Sequence, residues 1–407
     1  MGITRRSILT GVAPGAMAGG LVLSLPALTS NAAVTGKLTS RTPADNVKLA
    51  SRVFGPEGGF GKPGILDYFT DEAIALQGGG CGYTREQMEI VNRVETNEIY
   101  TDKSAGRIKD PWSGGAHKFH VIAQEDSFVT YMMYPQSVVT TGLPGKTSVG
   151  NAFGVFVEWC WTNDQGKISR NDEWWPGWGY DPKWLGSQYE DVNAEVGLAQ
   201  DTSTLQFSDG QVFDGAPLLP SRRVIPGQTP RRAANVKLAE DMFLRYREAY
   251  QSGALKPLSS TVYSDEYLAH LRAVYKISSV EQLQRYEQEE LEMLRVGGKG
   301  VKNLHLANID ICSQDNCFAV YTVTRGHLPE GPPFGGPLIH FIWTNPKGQI
   351  VRRDECRPMF FWQRLFTASM GMSMDKAYAN LCRRLGLSWP GFMETYKSYY
   401  DQPLPDA

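Results

Sequence analysis

The sequence predicts an α+β protein built from one unit that is used twice. Two segments read W-T-N-x-x-G-x-I-x-R-x-D-E, one beginning at Trp161 and the other at Trp343, 182 residues later. An apolar run precedes each segment, and an apolar run, a glycine-containing turn and a second alternating run are typical of a β-hairpin. Helical periodicity precedes both hairpins. Each copy is therefore expected to pack helices on one face of a curved antiparallel sheet.

Shorter segments recur in the same order and support a duplication. N-V-K-L-A stands at residues 46–50 and again at 235–239. A period of nearly two hundred residues is too long for a solenoid repeat, and 407 residues suffice for two domains with separate cores. The predicted parts are a first domain at 46–178, an irregular connection at 179–232, a second domain at 233–362 and a helical tail at 363–407.

The elements of each copy follow from capping and periodicity. In the second copy Ser264-Asp265-Glu266 has the form of a helix N-cap followed by acids, and Thr70-Asp71-Glu72 has that form in the first copy. We expect a helix to begin at each. Further helices are predicted over residues 47–54, 84–99, 235–252 and 279–296. Strands are predicted over residues 116–123, 128–134, 303–312 and 317–324, ahead of the two hairpins.

The N-terminus has the pattern of an export signal. Arg5-Arg6 precedes a moderately apolar, Gly/Ala-rich run, and Ser30-Asn31-Ala32 offers small residues for cleavage. We predict that residues 1–32 are a twin-arginine signal peptide, read by the twin-arginine export machinery and removed in a bacterial periplasm or exterior. An ordinary apolar anchor or a general-secretion signal is the alternative. The body of the chain has no apolar run of 18 residues, so no membrane contact is expected after signal removal.

Charge and cysteine spacing exclude several functional classes. The net charge of −2 argues against nucleic-acid binding. The six cysteines form no C-x-x-C pair, and the chain has no phosphate-binding loop, dinucleotide fingerprint or metal-ligand spacing. We therefore predict no cofactor and no metal. Cys312 and Cys317 flank a turn, where a disulfide is plausible in an oxidising compartment and free buried thiols are the alternative.

Two segments carry a resemblance to a known superfamily. Residues 304–311 followed by 318–321 form an L-H-L-A-N-I-D-I and F-A-V-Y pair, and residues 348–354 form a late G-Q-I-V-R-R-D turn. With helices first and a curved sheet after, this pattern resembles the nuclear transport factor 2-like superfamily, in particular SnoaL-like polyketide cyclases, scytalone dehydratase and ketosteroid isomerase. The resemblance covers most of both predicted domains.

That resemblance implies two tandem cone-shaped domains, each closing helices over a mostly apolar pocket. Enzymes of this kind transfer protons without a cofactor, since an apolar pocket shifts the pKa of a carboxyl or holds a histidine neutral. The superfamily's usual dimer implies a pseudo-dimer within this chain, with the domains packed sheet to sheet, or a homodimer.

Histidines are the first candidates for such chemistry. By family position His305 matches the pocket histidine of scytalone-dehydratase-like members, and a core histidine bonded to a carbonyl is the alternative. His117 is its counterpart in the first copy. His120 competes with His117, because the two differ by an odd number of positions and so face opposite sides of a strand.

Glu158 and His340 occupy matching positions in the two apolar strands that lead to the hairpins. An ionisable group inside such a strand is costly unless it is paired or faces a wet cavity. Both residues are therefore candidates for lining a catalytic pocket. A structural ion pair, for example with Arg170 or Arg352, is the alternative.

The ends of the last strands supply further candidates. Asp172 and Asp354 stand where family members aim an acid at the ligand, and solvated charge at a strand end is the alternative. Family members also use Tyr or Asp near Tyr68 to polarise a carbonyl. Aromatic residues that are candidates for walling a ligand site, or for plain core packing, are Trp159, Trp161 and Trp343.

These features predict an exported, cofactor-independent lyase or isomerase. It would dehydrate, cyclise or isomerise a small hydrophobic or aromatic molecule by His/carboxylate acid–base catalysis. The alternative is a non-catalytic protein of the same fold that binds a hydrophobic ligand or serves in assembly. A cavity that holds ionisable groups would favour the enzyme, and a purely apolar or plugged cavity would favour the alternative.

Overall fold

The protein is α+β, and each copy of the repeat contributes its own sheet. The computed structural model describes residues 41–55, 64–77, 81–95, 118–134, 138–141, 147–150, 154–174, 229–296, 302–327, 333–357 and 359–405. The predicted signal peptide, His117 and most of the predicted connection at 179–232 lie outside these ranges. Within them, no helix combines the length and apolar character needed to cross a membrane.

The first copy forms a six-stranded sheet in the order β2-β1-β8-β7-β4-β3, in which β1 runs parallel to β8. Its elements are α1 (Pro43–Phe54), β1 (Phe69–Gln77), β2 (Cys81–Thr84), α2 (Arg85–Glu95), β3 (Lys118–Ala123), β4 (Ser127–Tyr134), β5 (Val138–Thr141), β6 (Thr147–Gly150), β7 (Gly154–Thr162) and β8 (Ile168–Trp174). Strands β5 and β6 pair with each other in a separate two-stranded sheet.

The second copy forms a four-stranded antiparallel sheet in the order β12-β11-β10-β9, and the chain ends in a helical tail, as predicted. The elements of this copy are α3 (Pro230–Phe243), α4 (Arg245–Ser252), α5 (Asp265–Val274), α6 (Val280–Val296), β9 (Lys302–Ser313), β10 (Cys317–His327), β11 (Pro333–Thr344) and β12 (Ile350–Cys356). The tail comprises α7 (Met359–Met370), α8 (Met374–Arg384) and α9 (Phe392–Tyr400).

One predicted helix is wrong. Thr70-Asp71-Glu72 does not begin a helix but lies in strand β1, whereas Ser264 does cap α5 as expected. In the first copy the open edge of β8 takes β1 as a parallel neighbour, which satisfies the backbone hydrogen bonds of that segment. In the second copy the corresponding contact is a single bridge from Tyr263 to Ile350, and the chain then enters the helix.

The two repeated segments of each copy contact each other, and the contact is the same in both copies. Asn46 accepts a hydrogen bond from the Thr162 hydroxyl at 3.5 Å and donates to the β3–β4 turn at 2.6 Å. Asn235 accepts from the Thr344 hydroxyl at 3.4 Å and donates to the β9–β10 turn at 2.8 Å. In each copy, the Asn of N-V-K-L-A tethers the first helix to the hairpin by accepting a hydrogen bond from the Thr of W-T-N. This contact explains why the two segments recur together.

The hairpin turns explain the other repeated letters. The side-chain oxygen of Asn163 accepts hydrogen bonds from two backbone N–H groups of its turn, and the side-chain oxygen of Asn345 does the same. Gly166 and Gly348 adopt φ values of 78° and 83°, a left-handed conformation that residues with a Cβ rarely take. The W-T-N-x-x-G pattern is therefore a turn requirement that both copies keep.

The two sheets pack face to face over an aromatic core. Tyr131 of β4 meets Trp343 of β11 edge to face at 5.4 Å, and Trp159 of β7 meets Tyr321 of β10 in the same way at 5.6 Å. All four side chains are buried. Since both sheets contribute one face to this core, their helices lie on the outer faces.

Two buried ion pairs lie at this contact, one on each sheet. Arg352 and Asp354 of β12 pair at 2.6 Å, and the hydroxyl of Tyr131, from the opposite sheet, donates to Asp354. In the first copy Arg170 and Asp172 of β8 pair at 2.7 Å, and Tyr321 of the second copy lies close enough to this pair to affect the pKa of both groups. Each sheet therefore places a tyrosine beside the ion pair of the other sheet, and Tyr131 hydrogen-bonds it.

Removing one partner of such a pair should be costly. We expect Asp354→Ala to lower the free energy of unfolding by about 3–5 kcal/mol, because the buried Arg352 guanidinium loses its counter-charge. Asp241→Ala, which removes an exposed ion pair with Lys237, should cost no more than about 0.5 kcal/mol. Guanidinium chloride unfolding of both variants checks this. If both variants lost a similarly small free energy of unfolding, the buried Arg352–Asp354 pair would not have the stabilising role assigned to it.

Candidate functional site

A cavity of about 170 Å³, called the second-copy cavity below, lies between the helices of the second copy, strand β12 and the tail, and Met133 and Val155 of the first copy also line it. For comparison, a cavity of roughly 150 Å³ accepts benzene, so this one has room for a single ring. Helices α4, α5, α6, α8 and α9 all contribute aromatic side chains to the wall. The aromatic lining comprises Tyr246, Tyr267, Tyr275, Tyr286, Tyr378, Trp389, Phe392, Tyr396 and Tyr399.

Charged side chains line the same cavity, and two of the pairs that they form are tight. Glu287 of α6 lies 2.7 Å from Arg245 of α4, and Glu355 of β12 lies 2.6 Å from Arg357. In each pair both groups are satisfied by a close counter-charge. Two further charged residues of the lining, Arg353 and Glu290, have no ion-pair contact this short among the described residues.

Arg353 faces the cavity with few partners. Its Nη1 lies 3.9 Å from a carboxylate oxygen of Glu287, beyond hydrogen-bond range, and its Nη2 donates a long hydrogen bond of 3.4 Å to Nδ1 of His340. Its guanidinium lies over the ring of Phe243 at 5.8 Å. With 24 % of its side chain accessible, Arg353 keeps N–H donors available to a ligand.

Glu290 is the carboxyl group suited to proton transfer. It accepts a hydrogen bond from the Tyr378 hydroxyl, and its nearest cationic contact is Arg357 at 3.7 Å. Burial raises the pKa of Glu290 above its ordinary value, and the Arg357 guanidinium only partly opposes that rise. A carboxylate with a raised pKa is a stronger base than one in water.

Tyrosine hydroxyls face the same space as proton donors. Burial raises the pKa of Tyr246 and Tyr286 well above 10 and that of Tyr267 to about 12, so all three stay protonated at neutral pH. Within the described part of the chain, none of these hydroxyls has a hydrogen-bond partner. Each can therefore donate to an oxygen atom of a bound molecule.

His340 lies behind this group and not in the lining. It is buried, stacks near Phe243 at 4.6 Å and contacts both Arg353 and Glu355. Burial, together with the charges of Arg353 and Arg357, lowers the pKa of His340 well below its ordinary value. The imidazole is therefore neutral, and it holds Arg353 in place through the Nδ1 contact.

The first copy has different residues at the equivalent positions. Glu158 stands where the second copy has His340, and Asn171 stands where it has Arg353, in the same cross-strand arrangement. The amide of Asn171 donates to Glu158 at 2.8 Å. The arginine that gives the second-copy cavity its N–H donors thus has a neutral amide as its counterpart.

Several predicted site residues lie in the contact between the sheets. Trp159, Trp161 and Trp343 are buried there, and the indole of Trp161 donates to Asp310 at 3.0 Å. Asp172 is fully buried with Arg170. Asp354 touches the cavity, but its carboxylate is engaged by Arg352 and Tyr131. The packing alternative therefore describes the tryptophans, whereas the two aspartates are buried in ion pairs and are not solvated charges at a strand end.

His305 and Tyr68 lie elsewhere. The expectation that His305 points into a pocket is wrong: its side chain is exposed, and its Nδ1 donates to the carbonyl of Asn303 at 2.8 Å. The strand alternation buries Leu304 and Leu306 and turns His305 outward. Tyr68 is half-buried against the core of the first copy.

His120 lines a separate, open groove at the start of α1 and α3. Burial lowers its pKa to about 4. Its Nε2 lies 3.6 Å from the Cys317 sulfur, and burial raises the pKa of that thiol to about 12, so the two groups do not form a thiolate–imidazolium pair. Cys312 and Cys317 are both free and buried, in agreement with the alternative to a disulfide.

Comparisons with known proteins identify no relative of this chain. No protein-family model matches the chain, and no curated protein gives a significant match. Within the ranges that the structure describes, no group of three or more His, Cys, Asp or Glu has the arrangement of a metal site.

The sequence analysis missed Arg353, Glu287, Glu290 and Arg357. A signal for Arg353 was present, because it fills the variable position between the repeated Arg and Asp of the W-T-N motif, where the first copy has Asn171. No comparable signal distinguished Glu290, which stands in a run of acids on α6 beside the surface-exposed Glu289.

His120 should make stability depend on pH. Its folded pKa of about 4 is below its ordinary 6.5, so the unfolded chain binds the proton first as pH falls between these values. The free energy of unfolding should therefore fall with pH in this window, by at most about 3 kcal/mol for this group. Urea unfolding at several pH values should show a shallower slope for His120→Gln than for wild type. His305→Gln, at an exposed site, should keep the wild-type slope, and an unchanged slope in His120→Gln would contradict the assignment.

Proposed function

We propose that this protein is a cofactor-independent lyase or isomerase that acts on a small molecule in the second-copy cavity. Glu290 would be the general base, and the tyrosine hydroxyls with Arg353 would stabilise negative charge that develops on the substrate. The observation that carries this proposal is the pairing pattern: Arg245 and Arg357 are closely paired, while Glu290 and Arg353 face the cavity with looser contacts.

The chemistry follows from these positions. A buried carboxylate can take a proton from a carbon atom next to a carbonyl group, and the enolate oxygen that forms needs hydrogen-bond donors. Tyr246, Tyr267 and Tyr286 are protonated donors around the same space. Returning the proton to another carbon gives isomerisation. Transfer of the same proton from Glu290 to a hydroxyl group on the neighbouring carbon lets that group leave as water, which gives dehydration. The aromatic wall limits water and so strengthens each of these contacts.

The superfamily, the domain arrangement and the export route are part of the same proposal. We infer a member of the nuclear transport factor 2-like superfamily with two tandem cone-shaped domains, at 46–178 and 233–362, packed as a pseudo-dimer. The repeated tethers of Asn46 and Asn235 and the face-to-face sheets support this inference. The Arg5-Arg6 pattern supports twin-arginine export to a bacterial periplasm or exterior. A homodimer remains compatible with these features.

A non-catalytic ligand carrier is the second candidate function. The observation that favours it is the tail: α8, α9 and the segment between them cover the cavity with Tyr378, Tyr399 and Trp389, which suits retention of a ligand as well as turnover. A carrier would bind through the same aromatic wall and Arg353, and it would not need Glu290 as a base.

Proton exchange distinguishes the two functions. In heavy water, we expect wild type to exchange the methyl protons of acetophenone or pyruvate, and Glu290→Gln to slow this by about 10²–10⁴-fold, the usual contribution of a general base. Glu289→Gln, on the same helix but paired at the surface with Arg384, should keep the wild-type rate. The rate should rise with pH around a midpoint above 4.5, because burial raises the pKa of Glu290. Proton NMR measures the exchange.

Two outcomes would contradict catalysis by this cavity. One is a wild-type exchange rate in Glu290→Gln with an unchanged pH profile. The other is absence of exchange by wild type above the buffer rate for both ketones, which would favour the carrier.

A further inference from the structure

The unequal pairing of the cavity arginines identifies a binding position for an anion. Arg245 and Arg357 each have a carboxylate within 2.7 Å, which satisfies their charge. Arg353 has its nearest carboxylate at 3.9 Å. A buried or half-buried guanidinium without a close counter-charge is costly, and a ligand that supplies the counter-charge would remove that cost.

The surroundings of Arg353 hold it ready for such a ligand. The Phe243 ring lies under the guanidinium, and the neutral His340 accepts from one of its nitrogens. These contacts fix the plane of the group before a ligand arrives, which reduces the entropy lost on binding. The planar fork of N–H donors matches the two oxygens of a carboxylate.

We propose that the natural ligand of this cavity is a small carboxylate with one ring or a skeleton of similar size, seated with its carboxylate on Arg353 and its apolar part among the tyrosines and Trp389. This inference deepens the proposed function, since it names the substrate class for the same cavity. The carboxylate would stand at one end of the space and the reacting carbon would stand towards Glu290.

The volume of the cavity and the charges of its lining together favour a small monocarboxylate as the ligand. About 170 Å³ accommodates one ring and excludes nucleotides and lipids. A second negative group on the ligand would meet Glu287, Glu290 or Glu355, which line the remaining wall. The cavity is thus suited to one negative charge.

The first copy does not offer this binding position. Asn171 stands at the place of Arg353, and its amide is engaged by Glu158. A neutral amide facing a carboxylate supplies no counter-charge for an anion. The ligand class therefore belongs to the second copy.

Calorimetry with benzoate and benzamide tests the proposal on the full chain. The two probes have nearly the same shape and differ in charge. We expect wild type to bind benzoate about 10- to 100-fold more tightly than benzamide, the usual effect of one charge-assisted hydrogen-bonded contact. Arg353→Gln should lose this preference and keep the benzamide affinity. Arg384→Gln, at a surface ion pair on α8, should behave as wild type.

The outcomes separate this proposal from the proposed function. Equal affinity of wild type for both probes, no binding of benzoate, or a benzoate preference that survives Arg353→Gln would each overturn the carboxylate assignment. The wild-type comparison stands even if Arg353→Gln does not fold. Glu290→Gln should bind benzoate at least as tightly as wild type, because it lacks a competing negative charge. If exchange fails while the benzoate preference holds, the cavity binds carboxylates without catalysis, and the reverse result leaves catalysis with another substrate class.

Discussion

The face-to-face contact of the two sheets, with a buried Arg–Asp pair on each side, is the constraint on which the rest of this structure depends. Burying Arg352 with Asp354 requires full hydrogen bonding, and Tyr131 from the opposite sheet provides part of it. Residues two apart on a strand share a face. With Arg352 and Asp354 committed to the sheet contact, Arg353 and Glu355 turn to the helix side, where the cavity lies.

The separation of each last strand into a face towards the sheet contact and a face towards the helices explains how the two copies differ. The repeated Arg and Asp serve the sheet contact in both halves, so both copies keep them. The residue between them serves the helix side, where the halves are free to differ: Asn171 bonds to Glu158 in the first, and Arg353 faces a cavity in the second. The two copies thus share their packing residues and differ in chemistry at alternate positions of the same strand.

The tail joins the cavity to the sheet contact. Backbone carbonyls of Tyr399, Gln402 and Pro403 accept from the Arg352 guanidinium at 2.9–3.2 Å, while the side chain of Tyr399 lines the cavity. The donors of Arg352 that Asp354 leaves unused are satisfied in this way. The helices that close the cavity are therefore also part of the hydrogen bonding that stabilises the core.

The sequence by itself determined the internal repeat, the α+β class, most helices and strands, and the hairpin turns, because these depend on local periodicity, caps and the left-handed glycines Gly166 and Gly348. It also placed His340 and Glu158 at equivalent positions. Only the tertiary structure decided that the tryptophans pack between sheets, that His305 is exposed and that β1 is a strand. It alone brought Arg353 and Glu290 to one cavity, since contacts between residues distant in sequence decide which charges are paired and which stay available to a ligand.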